Sequence, residues 1–200
     1  AAVRGVLAAA CSGRLTEGWR DEKSYLDNRE NERYSENEDL ILENFFEIPF
    51  SWRWNKIKEI GNILTGKTPP TSQEEYYGGS IPFFKPPDLN AGYYVSESSD
   101  KLSVKGAEIA HIIPPSTVMV TCIGATIGKV GYTRKIGTTN QQINSICADE
   151  KIVLSNWLFF VMCSHFMQEQ IQMNASETTL PITSKSRFSN LVLPLPPLAE

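Results

Sequence analysis

Residues 124–142, GATIGKVGYTRKIGTTNQQ, hold the densest set of side chains in this chain with chemistry to offer. A glycine-punctuated turn leads to Lys129, and Asn140 and Gln141 follow one hairpin later. Backbone amides and a lysine suit phosphate oxygens, so Lys129 is a candidate for a DNA phosphate. A side-chain amide donates and accepts in one plane, the pattern that reads adenine in the major groove. Asn140 and Gln141 could do this, or could satisfy buried backbone groups at a hairpin corner. For the Thr-Asn-Gln group we favour the structural role. No nucleophile stands beside a base, and the stretch reads as a binding surface.

Other candidates lie on proline-stiffened loops. Residues 61–68, GNILTGKT, match the nucleotide-binding P-loop pattern literally. That pattern works when the loop opens into a helix whose N-terminus and lysine hold phosphates. Here Pro69 and Pro70 follow at once and favour an extended exit. Lys67 and Thr68 are better suited to contacting DNA backbone. Lys85, in FFKPPDL, sits on a rigid loop fit for recognition, or pairs with Asp88. Lys185 and Arg187, in TTLPITSKSR, suit phosphate contact. Tyr76, Tyr77, Tyr93 and Tyr94 are expected to straddle a core edge.

Catalytic readings fail one by one. His111 and His165 are the only histidines, and neither has a partner arrangement for nucleophilic catalysis. A metal site would need more ligands at closer spacing. The KPPD at residues 85–88 lacks the polar first and aromatic last residue of an adenine-methylating loop. Pro87 and Asp88 are followed by no acid-x-Lys, which a nuclease would want.

These side chains need a scaffold. Val3, Val6, Leu7 and Ala10 recur at helical spacing, Gly13 is a helix stop, and so short a helix wants a partner. Residues 21–47 read as an acidic, exposed linker. Phe45, Phe46, Ile48, Phe50, Trp52 and Trp54 mark the start of a core, kept extended by Pro49. Residues 117–123, TVMVTCI, form a buried strand with neighbours at 129–134 and 142–148. Residues 155–172 read as one helix with an apolar stripe of Leu158, Phe159, Met162, Phe166 and Ile171. The fold class is α+β: a twisted, mostly antiparallel sheet with few helices.

With 41% apolar residues, 200 residues suffice for one domain with a sizeable core and an appendage. The net charge of -4 argues against a simple DNA-coating protein. Residues 1–50 hold 6 Lys+Arg against 11 Asp+Glu, whereas residues 51–200 hold 13 against 12. The recognition part is thus near neutral and its electrostatic affinity for DNA weak. Cys11, Cys122, Cys147 and Cys163 are scattered without a C-x-x-C pair and read as buried free thiols. LAAAC approximates a lipoprotein cleavage site, but Arg4 and the shortness of the apolar run favour a helix fragment. No membrane span is expected and the setting is cytoplasmic.

ACSGRLTEGWR near the start, GATIGK and TNQ in the middle and LPPLAE at the end, in that order, resemble the specificity subunit of type I restriction-modification systems. The resemblance implies a central conserved helix ending at residues 1–20, an acidic linker at 21–49, and the second target-recognition domain at 50–193. The distal conserved helix would begin at 194–200. The ends would then belong to long coiled-coil helices that dock modification (methyltransferase) subunits. S-adenosylmethionine on those subunits, and ATP and magnesium on restriction subunits, would serve the chemistry. This chain would hold no cofactor and read double-stranded DNA. A P-loop nucleotide-dependent enzyme and a protein–protein adaptor are the alternatives.

Overall fold

The computed structural model describes residues 2–24, 46–176 and 179–200. Among these residues the strands form three sheets. The run TVMVT is β6 (Thr117–Thr121), buried along its whole length. It lies between β7 (Val130–Thr133) and β9 (Ile143–Ala148), with β2 (Gly61–Thr65) beyond β9, every pairing antiparallel. Successive side chains of a strand point to opposite faces, so β6 serves two cores. Val118 and Val120 join a cluster with Leu158, Phe159 and Ile171. Met119 joins Phe84, Leu89, Val95 and Ile143 on the other side.

The second sheet has the order β4 (Asp100–Leu102), β3 (Tyr77–Phe84), β8 (Gly137–Thr139), β5 (Ile112–Ile113). β3 and β8 run parallel, and the other pairs are antiparallel. α3 (Val104–Ala110), absent from the sequence reading, is capped by the Ser103 hydroxyl, which accepts from the Gly106 amide at 3.2 Å. Ala107 and Ala110 pack with Phe83 and Leu102. The architecture is α+β, with mostly antiparallel sheets and few helices.

The helix expected over 155–172 is two helices, α4 (Ser155–Met162) and α5 (His165–Met173). Buried Ser164 takes an extended backbone, and its hydroxyl accepts from the Met167 amide at 3.3 Å, which starts a new helix. α1 (Ala2–Cys11) is helical as expected and lies against α4 and α5. Cys11 is buried, whereas Val6 is 56% exposed. α2 (Glu17–Ser24) extends into the stretch read as linker, and residues 25–45, Phe45 among them, lie outside the described residues. Phe50, read as core, is 92% exposed. Phe46 takes that part, edge-on to Trp54 at 5.2 Å and to Phe166 at 5.1 Å.

β1 (Arg53–Lys56) pairs antiparallel with β10 (Val192–Leu195), so the domain's first and last strands lie together. β10 runs across the boundary expected at residue 193. Within 194–200, the stretch expected to hold the start of a helix, Pro194 and Leu195 end this strand and one turn follows, closed by the Glu200 amide donating to the Pro197 carbonyl at 3.0 Å. The Glu200 side chain, 1% exposed, meets Arg20, Thr16 and Trp52. No helix among the described residues is long and apolar enough to cross a membrane.

The cysteines are free and buried or half-buried. Burial pushes the Cys122 thiol up to about 12 and that of Cys163 up to about 11. An unfolded thiol ionises near ~8.5. The folded thiols therefore contribute stability below that pH, and it is lost as pH rises through their folded values. Iodoacetamide at pH 8 is expected to leave Cys122 and Cys163 unmodified in the native chain and to label both in urea. Native labelling of Cys122 as fast as a free thiol, read by mass spectrometry, would contradict this burial.

Candidate nucleic-acid interface

Strand register decides which candidates meet. β2 ends at Thr65, opposite Asn144 near the start of β9. β6 ends at Thr121, opposite Ile143. β3 and β8 finish side by side, Phe84 beside Thr139, and β5 starts opposite Thr138. The ends of β2, β3, β6 and β8 and the starts of β5, β7 and β9 thus share one edge. Residues just beyond those ends share it too: Lys67 and Thr68 after β2, Lys85 after β3, Lys129 before β7, and Asn140 and Gln141 between β8 and β9.

The loop after β2 is built by close approach. The Gly66 amide donates to the Ile143 carbonyl at 3.1 Å, and the Lys67 amide to the Thr139 carbonyl at 3.0 Å. With these amides engaged and no helix after Thr68, GNILTGKT makes no phosphate cradle. The nucleotide-enzyme alternative is not supported. Lys67 is exposed, and the Thr68 hydroxyl donates to the Gln141 side-chain oxygen across the loops.

Asn140 and Gln141, adjacent in sequence, have opposite fates. Asn140 is buried; its side-chain amide donates to Gln142 Oε1 at 2.9 Å, and its Oδ1 accepts from the Gln142 amide at 3.1 Å. It is a corner residue, engaged within the fold. Gln141 is exposed. Lys85 corrects the sequence reading differently: its ammonium pairs with Asp100 at 2.6 Å, not with Asp88. The Asp88 carboxylate instead accepts from the Lys85 backbone amide at 2.8 Å. β4 sets Asp100 opposite Phe83, which brings it within reach of Lys85.

The turn before Lys129 needs its glycines. Gly124 and Gly128 adopt φ of 97° and 89°, a region side chains rarely enter. Two glutamines missed by the sequence reading hold this turn: Gln168 donates to the Gly128 carbonyl at 2.8 Å and Gln172 to that of Ile127 at 3.2 Å. They stand four apart on α5 and so share a face, the only signal the sequence carries for them. Lys129 is half-buried.

Lys185 is exposed on α6 (Lys185–Ser189), and just before this helix the Thr183 amide donates to the Cys122 carbonyl at 2.9 Å. The Arg187 guanidinium donates to the Asn174 carbonyl at 3.2 Å. No ion pair among the described residues involves Lys67, Lys129 or Lys185. Away from the loop edge, Tyr93 stacks on Tyr132 and Phe160 at the core margin, as expected for such tyrosines. The register also adds an exposed residue to the edge, His111, just before β5.

An α+β domain of three sheets whose loops gather at one edge around lysines, hydroxyls and side-chain amides defines a class of recognition module. Residues 49–200 match the family model described as type I restriction modification DNA specificity domain, and the chain belongs to that family. The type I restriction enzyme HindI specificity subunit of Haemophilus influenzae is 41% identical over 106 residues, which is 52% of this chain and 23% of that protein. The MjaIX specificity subunit of Methanocaldococcus jannaschii is 32% identical over 153 residues, 74% of this chain and 35% of that protein. Two solved structures share the fold at 18% identity. One is a chain from a study of complex assembly and conformational transition of the type I R-M system, with a TM-score of 0.60 over 98% of this chain and 43% of that one. The other is the HsdS subunit from Thermoanaerobacter tengcongensis, with a TM-score of 0.57 over 78% and 36%. This chain spans less than half the length of each of these relatives.

Proposed function

We propose that this chain is a sequence-specific DNA-recognition part of a type I restriction-modification specificity subunit. It is non-catalytic and acts in the cytoplasm. The reading is carried by one observation: the register gathers Lys67, Thr68, Lys129 and Gln141 at one loop edge, with both lysines outside any ion pair among the described residues. Lysines and hydroxyls there suit phosphate oxygens and set the orientation on a duplex, while side-chain amides suit base edges. The near-neutral charge of residues 51–200 means that this edge alone attracts DNA weakly, so affinity comes from a larger assembly. In that assembly α1 and the segment after β10 belong to coiled-coil helices that dock modification subunits, and a restriction subunit joins them. S-adenosylmethionine, ATP and magnesium belong to those partners.

The experiment is a salt titration of duplex binding, read by fluorescence anisotropy, with the intact specificity subunit assembled with its modification subunits. Removing one lysine–phosphate interaction lowers the slope of log affinity against log salt by about 0.9. Lys67→Gln with Lys129→Gln should therefore lower it by about two units. Lys85→Gln should change it less, because its ammonium already faces Asp100. Equal slopes for wild type and the double variant would refute this use of the edge.

A further inference from the structure

His111 lies on the loop edge, is exposed, and is the single residue between α3 and β5. Its backbone has φ of 68° and ψ of 113°, a conformation that side chains other than glycine rarely adopt. Backbone held there persists where the surroundings over-determine it, and such positions concentrate at ligand-binding sites. The ring is fixed as well: His111 Nδ1 lies 3.1 Å from the Thr65 carbonyl oxygen, at the end of β2 and two residues from Lys67. A carbonyl only accepts, so Nδ1 carries the hydrogen and donates it. In the neutral ring the other nitrogen, Nε2, is then a lone-pair acceptor.

We infer that His111 is a specificity-determining residue whose Nε2 accepts a hydrogen bond from the exocyclic amine of a base in the DNA major groove. The inference rests on the DNA-recognition reading above. The tautomer selects the ligand chemistry. A phosphate offers only acceptors and gives a lone pair nothing to hold, whereas adenine N6 and cytosine N4 present donors in the major groove. The neighbours complement this role: Lys67 suits phosphate, and the Thr68–Gln141 pair ties the adjacent loops together. The ring anchor on Thr65 and the constrained backbone give Nε2 a defined position, which reading a base requires.

The test selects duplexes from a randomised pool with the intact specificity subunit and its modification subunits, comparing wild type with His111→Gly and His111→Asn. Glycine relieves the backbone, and asparagine accepts positive φ more readily than most residues, so both should fold. Both variants are expected to keep the wild-type melting temperature within about 2 °C and an unchanged salt slope. The selected sequence should be retained except at one base pair, where preference for the amine-bearing base falls about tenfold. An unaltered preference at every position overturns the inference. So does a salt slope lowered by about one unit, which would make His111 a phosphate ligand. Wild type enriching no sequence at all would instead sink the recognition reading, and this inference with it.

Discussion

Gly66→Ala is expected to destabilise the domain by about 3–5 kcal/mol. A Cβ at Gly66 would stand 2.2 Å from the Thr139 carbonyl oxygen and 2.3 Å from that of Asn140, both backbone atoms with no rotamer to move into. Accommodating the methyl means parting the loop after β2 from the end of β8. That breaks the bonds from the Gly66 amide to Ile143 and from the Lys67 amide to Thr139. Overpacking and each unsatisfied buried group cost about 1–3 kcal/mol. Domains of this size are stable by only about 5–15 kcal/mol, so loss of the native state near 37 °C is within reach. Gly18→Ala is the control: nothing lies within 4 Å of its Cβ position on α2. Urea unfolding followed by tryptophan fluorescence measures both. A Gly66→Ala change within about 0.5 kcal/mol of wild type would mean that the two loops do not touch in this way.

Arg20→Met should cost about 3 kcal/mol, close to the lower bound for breaking a buried ion pair. The Glu200 side chain is 1% exposed and that of Arg20 is 20% exposed. One Arg20 nitrogen contacts the Glu200 carboxylate and also donates to the Thr16 hydroxyl at 2.8 Å, while the other donates to the Gly13 carbonyl at 2.6 Å. The second carboxylate oxygen accepts from Trp52 Nε1 at 2.7 Å. Without Arg20 a buried carboxylate keeps only neutral donors, and the segment joining α1 to α2 is no longer tied to the turn after β10. Adding Glu200→Gln should recover most of the stability, because a neutral amide needs no counter-charge. A double-mutant cycle on urea unfolding reads the coupling. Additive effects of the two substitutions would show that the pair does not act as a unit.

These two predictions differ in how far the sequence alone foretells them. Gly66 stands out in GNILTGKT, but as a phosphate-loop glycine; what makes it necessary is the carbonyl of a strand far along the chain, at Thr139. Arg20 and Glu200 stand in the two motifs that carry the family resemblance, ACSGRLTEGWR and LPPLAE. Nothing in either motif says that their charges meet.

The same division runs through the chain. Local rules sufficed where a residue's fate depends on its near neighbours. β-Branched residues dictated β6, helical spacing dictated α1, glycines dictated the turn before Lys129, and motif order dictated the family. Tertiary structure alone decided the rest. Ser164 divides α4 from α5 because its buried hydroxyl caps a new helix. Phe50 is exposed while Phe46 fills the core margin. Asn140 is enclosed while its neighbour Gln141 is open, and Lys85 faces Asp100 because β4 pairs with β3. His111 reaches the loop edge through the pairing of β5 with β8. In each case the deciding partner is set by strand register or packing between segments distant in sequence. A one-residue slip in register would reverse which side chains face out, and no local pattern in the chain states that register.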